Sequence, residues 1–144
     1  MSIVNQQVTK AKTLFQHKRP EDLEGDEYGD ITAASGRQIG QLHQYFINQH
    51  AYMLQTVAEA DQQVTIAEYM HSVIKKKAYI RLDNGTQKYK IDNAVAQDED
   101  VQKAWIRVLE KRAYKDMTET ITKGVESKAQ MLSREITRRA SERQ

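Results

Sequence analysis

Apolar residues recur along two long stretches of the chain, residues 39–82 and 98–143, at the three- and four-residue spacing of a helix face. In the first, Ile39, Leu42, Phe46, Met53, Val57, Ala60 and Val64 make one stripe, which Ile66, Met70, Val73 and Ile74 continue. The pattern starts near Ser35. Gln62-Gln63-Val64-Thr65 leaves open whether this stretch is one helix or two, because valine and threonine are weaker helix formers. The second stretch opens on Asp98-Glu99-Asp100, acids that suit a helix N-terminus. Ile106, Leu109, Ala113, Met117, Ile121, Val125, Ala129, Leu132, Ile136 and Ala140 then form a stripe. Its spacing averages slightly above the straight-helix period, which speaks against a left-handed heptad seam. Val101, Ala104, Trp105 and Val108 add a second stripe at its start, so contacts are expected on two sides there.

Asp83-Asn84-Gly85-Thr86 separates the two stretches and reads as a tight turn, since Asn and Gly tolerate left-handed backbone. Tyr79-Ile80-Arg81-Leu82 and Lys88-Tyr89-Lys90-Ile91 alternate in polarity on either side, which admits a small β-hairpin at the bend. Otherwise the turn joins two antiparallel helices. Residues 1–18 carry a short helical pattern, stopped at Pro20. Residues 20–36, with Pro20, three glycines and many acids, read as a mobile acidic arm. The expected fold is all-α, an elongated antiparallel helical hairpin or bundle completed by oligomerisation. The division is an N-terminal segment, 1–36, and a helical part, 37–144.

Composition sharpens this. The 144 residues are 39% hydrophobic and 29% charged. The mean hydropathy is −0.78. So thin an apolar supply suits a long helical protein that completes its core with other copies. A single proline favours helix over sheet. The absence of cysteine excludes disulfides, thiolate chemistry and Cys-type zinc sites. The N-terminus lacks the apolar core of a signal peptide, and no apolar run approaches ~20 residues. A cytoplasmic protein without a membrane partner is expected.

The net charge is only +2, but it is unevenly placed. Glu21, Asp22, Glu24, Asp26, Glu27 and Asp30 form a block without a base. The joint holds Lys75, Lys76, Lys77, Arg81, Lys88 and Lys90, with Tyr79 and Tyr89 between them and Asp83 as the one acid. Lysines neutralise phosphates and release counterions, and tyrosine rings stack on any unpaired base. That mixture points to single-stranded nucleic acid. The plainer alternative is a solvated helix end with its tyrosines in the core. Arg107, Lys111, Arg112 and Lys115 form a second basic band, interleaved with acids that permit pairs such as Lys115–Glu119. Arg134, Arg138, Arg139 and Arg143 suit the negative end of the last helix. His43 and His50 lie two turns apart, about 10 Å, too far to share one metal ion. No phosphate loop, nucleophile elbow or HExxH occurs, and no cofactor or enzymatic activity is implied.

With the Lys-Lys-Lys-Ala-Tyr-Ile-Arg stretch at 75–81, the glycine-containing turn at 83–86 and Asp98-Glu99-Asp100-Val101 opening a long amphipathic helix, residues 37–144 resemble the phage recombination mediators of the UvsY type. The resemblance implies an oligomer that binds single-stranded DNA and weakens the hold of single-strand-binding protein. It also implies loading of a RecA-like recombinase. Lys75, Lys76, Lys77 and Arg81 would match the basic patch of that family, and the last helix its assembly element, with Trp105, Leu109, Met117, Ile121, Val125, Leu132 and Ile136 at the subunit interface. Two rivals stay open. One is an anti-defence inhibitor that engages a basic partner through its acidic arm. The other is a virion or scaffolding protein whose helices only oligomerise.

Overall fold

The structure, a computed structural model, describes residues 31–144. A short 3-10 turn, Ile31–Ala33, leads into helix α1, Gly36–Leu82. A ten-residue helix α2, Lys88–Gln97, follows the bend, and helix α3, Glu99–Glu142, completes the chain. All three elements are helical, and no strand occurs among the described residues. The expected short helix at 1–18 and the acidic block lie outside them.

The β-hairpin considered at the bend is absent. Tyr79–Leu82 is the last turn of α1, and Lys88–Ile91 is the first turn of α2. The alternation is one of polarity and not of burial: Tyr79 and Leu82 are half-buried at helical spacing with Ile80 and Arg81 exposed between them, and Tyr89 is exposed like Lys88 and Lys90. The turn itself forms as its residues dictate. Asp83 accepts from the Gly85 amide at 3.1 Å, and Asn84 accepts from the Thr86 amide at 3.3 Å. Gly85 takes a φ of 74°, a left-handed value that glycine adopts at no steric cost.

Helix α1 begins where Ser35 and Gln38 form a capping box: the Ser35 hydroxyl accepts from the Gln38 amide, and the Gln38 side chain accepts from the Ser35 amide. It runs unbroken through Gln62–Thr65. Helix α3 begins at Asp98, whose carboxylate accepts from the amides of Asp100 and Val101.

The two long helices run antiparallel. Ala34 meets Arg139, Asp61 meets Lys115, Glu68 meets Arg112 and Arg81 meets Asp98, so rising numbers on α1 face falling numbers on α3. The buried residues of α3 are Val101, Val108, Thr118, Thr122, Val125 and Leu132. Every interval among them is a sum of threes and fours whose mean step is about 3.5 residues, as in a heptad seam, the seam that the spacing of the apolar stripe spoke against. That reading followed the apolar residues alone. The seam instead includes two threonines, whose hydroxyls donate to the carbonyls of Lys115 and Thr118 at 2.8 and 2.6 Å and so enter the core satisfied. On α1, Thr56, Ala60 and Val64 follow at two successive four-residue steps. This shift in phase falls beside Gln62–Thr65, the stretch that left one helix or two open, and the helix absorbs it without interruption.

Two small cores hold the pair. At the end formed by the start of α1 and the end of α3, the distal end, Ile39, Phe46, Val125 and Leu132 pack together. At the opposite end, the joint, α2 lies against both long helices and Ala78, Val95 and Val101 pack with Ile74, Tyr79, Leu82 and Ile91. No helix of the described residues is long and apolar enough to cross a membrane.

Candidate nucleic-acid interface at the joint

Consecutive helical residues point about 100° apart, so Lys75, Lys76 and Lys77 cannot share a face. All three are exposed and none has a carboxylate in ion-pairing range among the described residues. They fan around the last turns of α1. Only Lys77 joins Arg81, one turn further on, in the groove between α1 and α3.

That groove has a volume of about 340 Å³. Its floor is apolar: Ala67, Met70, Ile74 and Ala78 from α1 and Ala104 from α3. Lys77, Arg81, Lys103 and Arg107 stand around it, with Asp98 and Asp100 at the end where α3 begins. The cations differ in commitment. Arg81 is ion-paired with Asp98. Lys103 pairs with Glu99 at 2.8 Å, which raises its pKa above the ordinary lysine value, with a smaller push from Asp100. Lys77 and Arg107 have no ion pair among the described residues. The Asp100 carboxylate likewise makes no ion pair there.

Of the two tyrosines expected to stack on bases, the structure places one in the framework. The Tyr79 hydroxyl donates to Asp92 at 2.5 Å and its ring packs on the joint core. The hydrogen bond to Asp92 holds its pKa above the ordinary tyrosine value, with burial adding to the shift. Tyr89, by contrast, is exposed on α2 between exposed Lys88 and Lys90.

The second basic band serves the seam. Lys111 donates to Gln63 at 3.0 Å, Arg112 pairs with Glu68 at 2.8 Å and Lys115 with Asp61 at 2.9 Å. The expected Lys115–Glu119 pair is the weaker of the contacts Lys115 makes, at 3.9 Å. Arg107 alone of that band turns to the groove, a role its sequence neighbours concealed. At the distal end Arg138 pairs with Glu135 and Glu142, and Arg139 donates to the carbonyls of Ala34, Ile31 and Thr32. Arg139 fastens the chain entry, and Arg138 braces the last turns of α3.

The residues expected at a subunit interface divide as well. Val125 and Leu132 are buried against α1 within the same chain, so they are not available to a second copy. They occupy seam positions, whereas the stripe drawn from sequence drifts across the helix surface. Met117 and Ile121 are half-buried, and Trp105, Leu109 and Ile136 are exposed. Trp105 lies beside His71 and beneath the Arg112 guanidinium, 5.3 Å from each. No family model, curated protein or solved structure matches the chain.

Proposed function

We propose that this protein is a non-enzymatic, single-stranded DNA-binding recombination mediator that works in the cytoplasm as a homo-oligomer. The observation that carries the reading is the set of cations at the joint without carboxylate partners among the described residues: Lys75, Lys76, Lys77, Lys88, Lys90 and Arg107. Unpaired surface cations are available to neutralise strand phosphates, and release of the counterions condensed on the strand drives binding. Exposed Tyr89 offers a ring face to an unpaired base. Because the lysines fan around the helix, a strand would wrap the end of the helical pair instead of lying along one side.

The partners follow from the resemblance to UvsY-type mediators: a RecA-like recombinase to be loaded and single-strand-binding protein to be displaced. Self-association would use the outward apolar residues Trp105, Leu109 and Ile136, with Met117 and Ile121 at their margin. Several joints in one particle would turn a weak site into a firm one through avidity.

Fluorescence anisotropy with a labelled single-stranded oligonucleotide tests this. Changing Lys75, Lys76 and Lys77 together to Glu should abolish binding at low salt while the helical circular dichroism is kept. Unchanged affinity would remove the reading.

A further inference from the structure

The groove at the joint differs from the lysine fan around it. It is concave, its floor is apolar, and three alanines, Ala67, Ala78 and Ala104, open it by leaving no side-chain bulk between the helices. Its volume lies at the small end of the range for ligand sites, which suits a nucleoside-sized group and excludes a folded segment. Above the floor stand two unpaired cations, Lys77 and Arg107, and one carboxylate outside any ion pair, Asp100.

The three polar groups are not equivalent. Asp100, Ala104 and Arg107 follow one another along one face of α3, so Asp100 and Arg107 are separated by about 10 Å along the axis with the alanine between them. An anion held at Arg107 and Lys77 therefore leaves the apolar floor for a flat ring, and the far edge of that ring meets Asp100. An ionised carboxylate only accepts hydrogen bonds. It rewards a ring edge that donates and repels one that presents a carbonyl oxygen.

We propose that this groove takes one nucleotide whose base carries an exocyclic amino group, with the phosphate at Lys77 and Arg107, the ring on Ile74, Ala78 and Ala104, and the amino group donating to Asp100. Cytosine and adenine fit this edge. Thymine, with a carbonyl at the same place, does not. The inference rests on the strand-binding reading for its source, one unit of a single strand, and it adds a base preference to a surface otherwise indifferent to sequence.

The test uses the full chain near neutral pH. Oligonucleotides of equal length made only of dC, dA or dT compete for binding in anisotropy, and free dCMP is titrated in parallel while the Ala104 amide is followed by NMR. The dC and dA strands should bind about tenfold more tightly than dT, the low end of the scale for one hydrogen bond to a charged group. Asp100→Asn, which can donate as well as accept, should erase that preference without weakening dT. Ala104→Leu, which fills the floor with a good helix former, should erase it too. Equal affinity of wild-type protein for all three strands would overturn the inference and leave strand binding intact. So would Asp100→Asn weakening all three alike. A shift of Ala104 by dCMP without any strand binding would keep the groove and its base chemistry but remove the strand as its source. No shift of Ala104 with any of these probes would overturn the groove and its base chemistry, and strand binding would stand or fall by anisotropy.

Discussion

The two ends of this helical pair are built from different materials. At the distal end, large side chains meet across the seam: Ile39 and Phe46 from α1, Val125 and Leu132 from α3. Arg138, Arg139 and Glu135 there are committed, with Arg139 bound to three carbonyls and Glu135 bound by two arginines, whereas Arg134 and Arg143 make no ion pair among the described residues. At the joint the core residues are small, mainly alanine and valine, and exposed cations and apolar side chains lie close together. Packing area sets most of the stability of a helix pair, so the distal end anchors the fold. The joint contributes less and, although Arg81 and Lys103 are paired, keeps Lys75, Lys76, Lys77, Lys88, Lys90 and Arg107 outside ion pairs among the described residues. A protein that must grip a polyanion gains by this division, because residues already paired have little left to offer a ligand.

Truncation at the anchor should have the largest effect. Leu132 is 1% exposed. Leu132→Ala should lower stability by roughly 2–5 kcal/mol in urea or guanidinium unfolding, the usual range for a buried leucine. A smaller loss would mean that the distal core is less tightly packed than its burial indicates. At the joint, Asp98→Ala removes both the N-cap of α3 and the partner of Arg81. It should cost about 1–2 kcal/mol and release Arg81 as a further unpaired cation, so strand affinity should hold or rise. Parallel loss of stability and affinity would contradict the division between anchor and grip.

Two smaller effects sharpen the contrast from the anchored side. Gln49 is buried, and its side-chain oxygen has no hydrogen-bond partner among the described groups. Gln49→Leu should raise stability by about 1 kcal/mol, since an unsatisfied acceptor is removed and apolar contact replaces it. Glu135 supplies the smallest effect, a slope with pH. Hydrogen bonds from Arg138 and Arg139 hold its carboxyl down to about 2, against an ordinary value of 4.5. A carboxyl depressed on folding stabilises the native state where it is ionised, so its contribution is full above about pH 4.5 and is lost as the pH falls from there toward 2. Thermal melts over that interval should show a gentler slope for Glu135→Gln than for the parent chain.

Much of the fold was legible in the residues. The apolar pattern starting near Ser35 marked the start of α1, Asp98 the start of α3, and Asn84-Gly85 the turn, because caps and turns are set by local hydrogen bonding. Two features were not. The heptad seam was hidden because Thr118, Thr122 and several alanines share it with larger apolar residues, and a search for bulk passes over them. The identity of α2 was hidden because Lys88-Tyr89-Lys90-Ile91 alternates in polarity but not in burial, with Tyr89 exposed beside the lysines. The site was legible in composition but not in arrangement. The lysine run and Tyr89 could be read directly, while Tyr79 and Arg81 went to Asp92 and Asp98, partners 13 and 17 residues away. Arg107 joined the groove through the pairing of two helices, a contact that no spacing along one of them reveals.

Mapping a single-stranded oligonucleotide onto the backbone amides by NMR tests the division between the two ends most directly. We expect shifts concentrated at the joint, at Lys77, Ala104, Arg107 and the start of α2, that fade as salt is raised, with the amides around Phe46 and Leu132 unmoved. Shifts centred on the distal arginines Arg134 and Arg143, or spread evenly along both helices, would contradict it.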